Sequence, residues 1–333
     1  MSSIIPKSQM TEEDIKLQFI TPAITAKWNS SHITMETRIT DGRVNIRGNL
    51  VFREKPKKAD YILYLNANNP IAIVEAKDNN HSVSFGMQQA MTYAQMLDVP
   101  FAYSSNGDAF YEHDFLTGLE RQIALEDFPS PEELTARFNA GKQITPAQQS
   151  IIDQPYYSSQ NTYPPRYYQR NAVNRTLDAI ARGQDRLLLV MATGTGKTYT
   201  AFQIVYRLLK SGLRKKVLYL ADRNILVDQS IQQDFAPLEK TIHKINFAKD
   251  DPTTISSYEV FFSLYQQLAG DAEEVDDGED AMEKFKAMFR PDFFDLIIVD
   301  ECHRGSAKKD SSWRKILEYF SSATQIGMTA TPK

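Results

Sequence analysis

The sequence has a single cysteine, Cys302, in 333 residues. That excludes an internal disulfide and fits a reducing compartment. No apolar run approaches the roughly 20 residues that span a bilayer. The opening stretch, MSSIIPKSQMTEED, has no apolar core behind a basic start, so it does not read as a secretory signal. Positive charge is not in excess either. The formal net charge is −4, so any contact with nucleic acid must come from a local patch and not from a global field. No internal repeat is visible. A cytoplasmic protein with no membrane partner is expected. What is present is ordinary globular composition, 42% hydrophobic and 24% charged, with apolar mass for two cores. A prior of roughly 150 residues per domain also gives two domains.

The pattern changes along the chain. Residues 11–28 read as a helix, with Thr11 as N-cap, Glu12, Glu13 and Asp14 at the positive end of its dipole, and Pro22 ending it or opening a second short helix. ITMETRIT, GNLVF, DYILYL and IAIVEAK read as strands within 33–77. A helix follows at about 84–97, then a strand, FAYSSN, and a helix in PSPEELTARFNAGKQ. Residues 151–165, with QPYYSSQNTYPP, read as an irregular linker. From Arg166 the apolar runs are continuous: 186–192, 216–222, 253–260, 295–301 and 324–330. Strands buried on both faces by crossover helices have this character. The acidic tract at 271–283 reads as a solvated loop. The fold class expected is α/β: a mixed sheet with flanking helices over 1–150, then a parallel-sheet phosphate-binding domain over 166–333.

In RLLLVMATGTGKT, a strand meets a glycine turn and then a helix. Successive N–H groups in such a turn form a concave anion site, and the helix dipole adds to it. Thr193, Gly194, Thr195 and Gly196 would cradle phosphate. Lys197 would reach the β/γ-phosphates of ATP, and the Thr198 hydroxyl would bind Mg²⁺. Met191 stands where the first glycine of the usual P-loop belongs. About 100 residues on, VDECHRGS ends another strand. Asp300 can hold the same Mg²⁺, Glu301 can orient the attacking water, and His303 would relay nucleotide state.

In the first half, Asp60, Glu75 and Lys77 form a second constellation. Glu75 and Lys77 lie two apart on a strand and share one face. Burying both in an apolar strand is costly unless they are paired or metal-bound. Asp60 and Glu75 would hold Mg²⁺ through oxygen, and Lys77 would orient the attacking water at a phosphate. A plain Glu75–Lys77 ion pair is the alternative. Gln89 and Tyr93 have helical i,i+4 spacing, which an ordinary amphipathic face also shows. Arg43, Arg47, Arg53, Lys55, Lys57 and Lys58 would line a phosphate track or a solvated loop.

These residues carry a family resemblance. MATGTGKT, DECH and TATP (329–332) resemble motifs I, II and III of superfamily 2 helicases and translocases. RYYQ resembles the adenine-contact element, which implies Gln169 as the reader of the base. YLADRNILVDQ (219–229) resembles motif Ia, and SSYEVFF (256–262) lies where such proteins contact the DNA backbone. The resemblance covers one RecA-like lobe. The chain ends one residue after TATP, so a fragment without the second lobe and its arginine fingers is expected. Asp60, Glu75, Lys77 and the Q-x-x-x-Y of Gln89 and Tyr93 match the PD-(D/E)xK nuclease pattern of several helicase-linked families. A further carboxylate from the first helix often completes such sites, which makes Glu12, Glu13 and Asp14 candidates. Glu36 is another, with an outward strand position as its alternative. In this order, with TEEDIK, FITPAI, KADYIL and VEAK, the whole resembles the restriction (R) subunit of type I restriction–modification enzymes. The resemblance implies ATP and Mg²⁺ as cofactors and double-stranded DNA as substrate, cleaved away from the recognised site. It implies methyltransferase and specificity subunits as partners. A helicase-nuclease of another defence or repair system, or a binding module without motor activity, remains open at this point.

Overall fold

The computed structural model describes residues 5–40, 44–47, 50–53, 55–66, 69–159, 164–221, 230–247, 249–264, 278–302 and 310–331, with backbone alone for 44–47, 50–53, 278–282 and 310–314. The chain divides into two compact units. One comprises Met1–Gln149 with Arg166–Asn171, the other Ser150–Pro165 with Ala172–Lys333.

The first unit opens with α1 (Glu12–Ile15), a π-helical turn (Lys16–Ile20) and α2 (Thr21–Thr25). Thr11 and Asp14 form a capping box, so Asp14 is occupied at the helix start. The expected break at Pro22 is softer than a helix end. The Thr21 N–H reaches back five residues to the Lys16 carbonyl, and this wider turn accommodates the proline that follows.

Strands β1 (Ile33–Thr40), β2 (Val44–Arg47) and β3 (Leu50–Arg53) follow, the last two forming a separate hairpin. β4 (Lys57–Asn66), β5 (Asn69–Ala76), α3 (Met87–Leu97), β6 (Phe101–Ser105), β7 (Ala109–Asp114) and β8 (Leu119–Ala124) complete the sheet, and α4 (Pro131–Lys142) and α5 (Pro146–Ile152) come next. The sheet order is β1-β4-β5-β6-β7-β8, with only β5 and β6 parallel, across the α3 crossover. Asp60 therefore lies inside β4.

Side chains alternate between two cores with the period of 2 that a strand imposes. Tyr61, Leu63, Val74, Phe101 and Tyr103 pack with Ile15, Ile20, Ile24 and Trp28 on one face. Ile62, Ile73 and Ala102 pack with Met87, Ala90, Tyr93 and Leu97 of α3 on the other. Each large apolar side chain so buried contributes about 1.5–3 kcal/mol. The polar tip of Trp28 is satisfied, since Nε1–H donates to the Pro129 carbonyl at 2.8 Å.

The second unit holds most of α6 (Tyr167–Ala181), then β9 (Arg186–Val190), α7 (Lys197–Lys210), β10 (Val217–Ala221), β11 (Ile242–Lys244), α8 (Pro252–Ile255), β12 (Val260–Leu264), α9 (Gly278–Met288), β13 (Leu296–Asp300), α10 (Asp310–Tyr319) and β14 (Thr324–Thr329). Its sheet is parallel throughout, in the order β11-β12-β10-β13-β14-β9. β10 shows why its apolar run is continuous. Val217, Tyr219 and Ala221 enter one core, and Leu218 and Leu220 enter the other.

Three expectations differ from this structure. The acidic tract, read as a loop over 271–283, is helical from Gly278, as the start of α9. The strand read at 253–260 lies at Val260–Leu264, because Asp251 caps a short helix that begins at Pro252 and consumes TTI. The stretch 151–165, read as a linker, is irregular but packed over its described part. Tyr156 enters the core, and Gln203 of α7 accepts from the Tyr157 N–H at 2.9 Å.

Candidate functional site

In the first unit, β4 and β5 bring Asp60 beside Glu75. The Asp60 backbone N–H donates to Glu75 Oε1 at 3.3 Å, and Asp60 Oδ2 accepts the Ala76 N–H at 2.8 Å. Glu75 is fully buried, and its Oε2 has no hydrogen-bond partner among the described residues. Burial first, and the Asp60 charge second, push its carboxyl up to about 9. Lys77 follows β5 on the same face. A β-carbon placed on Gly86 would lie 2.8 Å from Ser104 Oγ, 3.4 Å from Glu75 Cβ and 3.5 Å from Lys77 Cγ. Gly86 thus lets the start of α3 close over both side chains, and its N–H donates to Ser104 Oγ at 3.0 Å.

Along α3, Gln89 Nε2 donates to the Tyr93 hydroxyl at 3.3 Å. Burial first, then the nearby Glu75 charge, raise the Tyr93 phenol above its ordinary range. Asp60, Glu75, Lys77, Gln89 and Tyr93 are therefore one neighbourhood. Glu12 joins it, with Oε2 at 3.6 Å from Lys77 Nζ. Lys55, Lys57 and Lys58 are exposed. Arg43 lies outside the described residues, as do the side chains of Arg47 and Arg53.

Sequence reasoning missed Lys16. Its side chain is 2% exposed, and its ammonium lies 2.7 Å from Asp60 Oδ1, 2.8 Å from Glu36 Oε1, 3.0 Å from Glu13 Oε1 and 3.5 Å from Glu12 Oε1. The i,i+3 and i,i+4 acids before Lys16 were the available signal. Glu36 reaches it from a left-handed backbone (φ 49°) in β1.

Among the described residues, no group of three or more Asp, Glu, His or Cys side chains is arranged to hold a metal ion by itself. Asp60 and Glu75 form a two-carboxylate donor set, with Lys16 and the Ala76 N–H on the Asp60 oxygens and the Asp60 N–H on Glu75 Oε1. Mg²⁺ is commonly held by one or two carboxylates, its own waters and a substrate phosphate, so such a set suits it. The buried, unpartnered Oε2 of Glu75 also fits a cation.

In the second unit, Gly194 and Gly196 adopt φ of 77° and 81°, the left-handed region that other residues rarely enter. Their turn runs from β9 into α7, which Lys197 and Thr198 open. Thr195 closes it through its N–H and hydroxyl, both donating to the Ala192 carbonyl. Met191 needs no glycine freedom. Its N–H still pairs with the Thr329 carbonyl at 2.9 Å, as a continuation of β9.

Asp300 ends β13, two strands away from β9, at the same carboxyl edge of the sheet. Its Oδ2 accepts the Tyr219 hydroxyl at 3.1 Å, and its Oδ1 accepts the Glu301 N–H at 2.9 Å. Burial raises its carboxyl above the ordinary range. Lys197 Nζ lies 3.1 Å from Glu301 Oε1, so the two motifs meet directly. Gln169, which belongs to the first unit, is buried and caps the start of α6, with Oε1 accepting the Arg166 N–H at 2.9 Å. His303 lies outside the described residues, as do 222–229 of the motif Ia stretch and most of the acidic tract.

Known proteins match both units. The family model described as Type I restriction enzyme R protein N terminus (HSDR_N) matches residues 27–129. That described as Type III restriction enzyme, res subunit, matches residues 162–333. The chain is 49% identical over 332 residues to the type I restriction enzyme EcoAI endonuclease subunit of Escherichia coli, covering 98% of this chain and 40% of that protein. It is 28% identical over 342 residues to the EcoKI endonuclease subunit of Escherichia coli strain K12, covering 82% of this chain and 28% of that protein. A solved fragment described as an HsdR subunit of a type I restriction enzyme from Vibrio vulnificus YJ016 superposes with a TM-score of 0.77 at 36% identity, over 97% of this chain and 56% of that one. The chain thus spans less than half the length of these curated relatives. With an R-protein N-terminal match, a restriction-type helicase-like match behind it, and identity carried through both, the chain belongs to the family of type I restriction enzyme endonuclease (R) subunits.

Proposed function

We propose that this chain carries two Mg²⁺-dependent phosphate centres, one that hydrolyses the backbone of duplex DNA and one that binds the ATP driving translocation along it. The observation that carries this reading is that β4 and β5 bring Asp60 beside Glu75, whose buried Oε2 has no partner among the described residues, with Lys77 next on the same face. Asp60 and Glu75 would hold Mg²⁺, which supplies charge neutralisation at the scissile phosphate and a more acidic water. Lys77 orients the incoming water and screens the phosphate. Gln89 and Tyr93 brace that edge of the centre from α3.

At the second centre, the N–H groups of 193–196 and the start of α7 bind the phosphates of ATP. Lys197 exchanges its contact with Glu301 for a phosphate oxygen. That exchange leaves Glu301 available to orient water. Thr198 and Asp300 would hold the Mg²⁺ that accompanies ATP, His303 would relay nucleotide state, and Gln169 would read the base. Methyltransferase and specificity subunits would choose the DNA sequence, and the contacts proposed for this chain are to the DNA backbone.

The test is a pair of separable losses. Asp60→Ala or Lys77→Ala abolishes Mg²⁺-dependent nicking and leaves ATP binding intact. Lys197→Ala abolishes ATP binding and leaves the first unit folded. Normal cutting by either nuclease variant would contradict the assignment of the first centre, and unchanged ATP affinity in Lys197→Ala that of the second.

A further inference from the structure

A lysine is among the residues least often fully buried unless it is paired. Lys16 is paired four times over, and its nearest oxygen belongs to a proposed metal ligand. Asp60 Oδ1 lies at 2.7 Å, then Glu36, Glu13 and Glu12 follow within 3.5 Å. Glu36, Glu13 and Glu12 are each more than a third exposed, while Asp60 is nearly buried. The ammonium therefore sits at the floor of an acidic funnel, on the side of Asp60 that faces the first helix. Glu75 takes the Asp60 N–H on Oε1, and its Oε2 is unpartnered among the described residues. The π turn at Lys16–Ile20 is the local feature from which this side chain departs.

We propose that Lys16 is a positioning residue and the built-in counter-cation of the nuclease centre. Its ammonium fills the place between Asp60 and the carboxylates of Glu12, Glu13 and Glu36, and so limits the centre to one divalent cation, held between Asp60 and Glu75. The inference rests on the reading of Asp60 and Glu75 as metal-holding carboxylates. Two like-charged cations sharing Asp60 repel strongly at this depth, so a fixed ammonium on one oxygen excludes a second metal there. It also removes a rotational choice from Asp60, since Oδ1 is held by Lys16 and Oδ2 by the Ala76 N–H.

The experiment is a calorimetric titration of the whole chain with Mn²⁺, run beside Mg²⁺-dependent DNA nicking. The variants are Lys16→Met, Lys16→Gln and Glu75→Gln. The wild type binds one Mn²⁺ at the nuclease centre, counted as the difference from Glu75→Gln. Loss of the ammonium frees the acidic funnel, so Lys16→Met binds a second Mn²⁺, or binds the first about tenfold more tightly or better. Its maximal nicking rate falls while its Mg²⁺ requirement drops, a split that a general loss of folding does not produce. Lys16→Gln keeps a hydrogen-bonding end without the charge and gives the same reading if Lys16→Met does not fold. Equal Mn²⁺ number and affinity in the wild type and the Lys16 variant would overturn the inference, as would two Mn²⁺ at the wild-type centre. If Glu75→Gln binds as much Mn²⁺ as the wild type and nicks normally, the nuclease reading itself fails.

Discussion

Glu75→Gln tests the electrostatics of the nuclease centre before any DNA is added. The substitution keeps the shape of the side chain and its acceptor for the Asp60 N–H, and removes the ability to ionise. Burial and the Asp60 charge push the wild-type carboxyl up to about 9, from an ordinary value of 4.5. The folded state therefore keeps a proton that the unfolded state has released. Stability from this group is full below pH 4.5 and is lost as pH rises towards 9. At 1.36 kcal/mol per unit, the loss at pH 8 without divalent cation is on the order of 5 kcal/mol. The variant has no such loss, but its buried amide must find a partner, at about 1–3 kcal/mol.

The two curves should cross. Glu75→Gln is less stable than the wild type at pH 5 and more stable at pH 8, there by about 2–4 kcal/mol. The assay is urea unfolding in EDTA, followed by Trp28 fluorescence in a Trp313→Phe background, because Trp28 is buried in the core of the first unit. At pH 8 the midpoint should move up by about 1 M urea. Parallel pH profiles, with the variant weaker throughout, would refute the buried-carboxyl account.

Gly86→Ala places a β-carbon 2.8 Å from Ser104 Oγ and against Glu75 and Lys77, so it costs about 1–3 kcal/mol and slows nicking. Adding Ser104→Ala relieves the closest contact and recovers part of both, as read by urea unfolding and nicking rate. Glu301→Gln removes the ionic partner of Lys197, so ATP·Mg²⁺ binds several-fold more tightly in calorimetry while hydrolysis falls by about 10²-fold or more. Tyr219→Phe removes the hydroxyl that donates to Asp300, a carboxyl already raised by burial. Its Mg²⁺ requirement for ATP binding rises, with nucleotide affinity in EDTA unchanged.

Features set by local spacing could be read without coordinates. The period of 2 around Glu75 put Glu75 and Lys77 on one face, and a β-carbon on Gly86, at the start of α3, would meet both. The glycine turn before Lys197 needs left-handed backbone at Gly194 and Gly196, and has it. Lys16 could not be read this way. Its role depends on Glu36 and Asp60, 20 and 44 residues distant, and on a π turn that no periodicity announces. The strand misplaced at 253–260 reflects a conflict between β-branched threonines and a helix cap, and Asp251 with Pro252 decides it for the helix. The segment around Tyr156 and Tyr157 reads as irregular because it is proline-rich and polar. Its order comes from Gln203 and Arg207, buried polar groups on α7 that hold its backbone and its rings.

The most direct measurement is an anomalous difference map at the manganese edge, from crystals of the whole chain grown with Mn²⁺ and a non-hydrolysable ATP analogue. The account predicts one peak bridged by Asp60 and Glu75 carboxylate oxygens at about 2.0–2.6 Å, and a second beside Thr198 and Asp300 at the nucleotide phosphates. A peak at the nucleotide alone, with Asp60 and Glu75 bare, would contradict it.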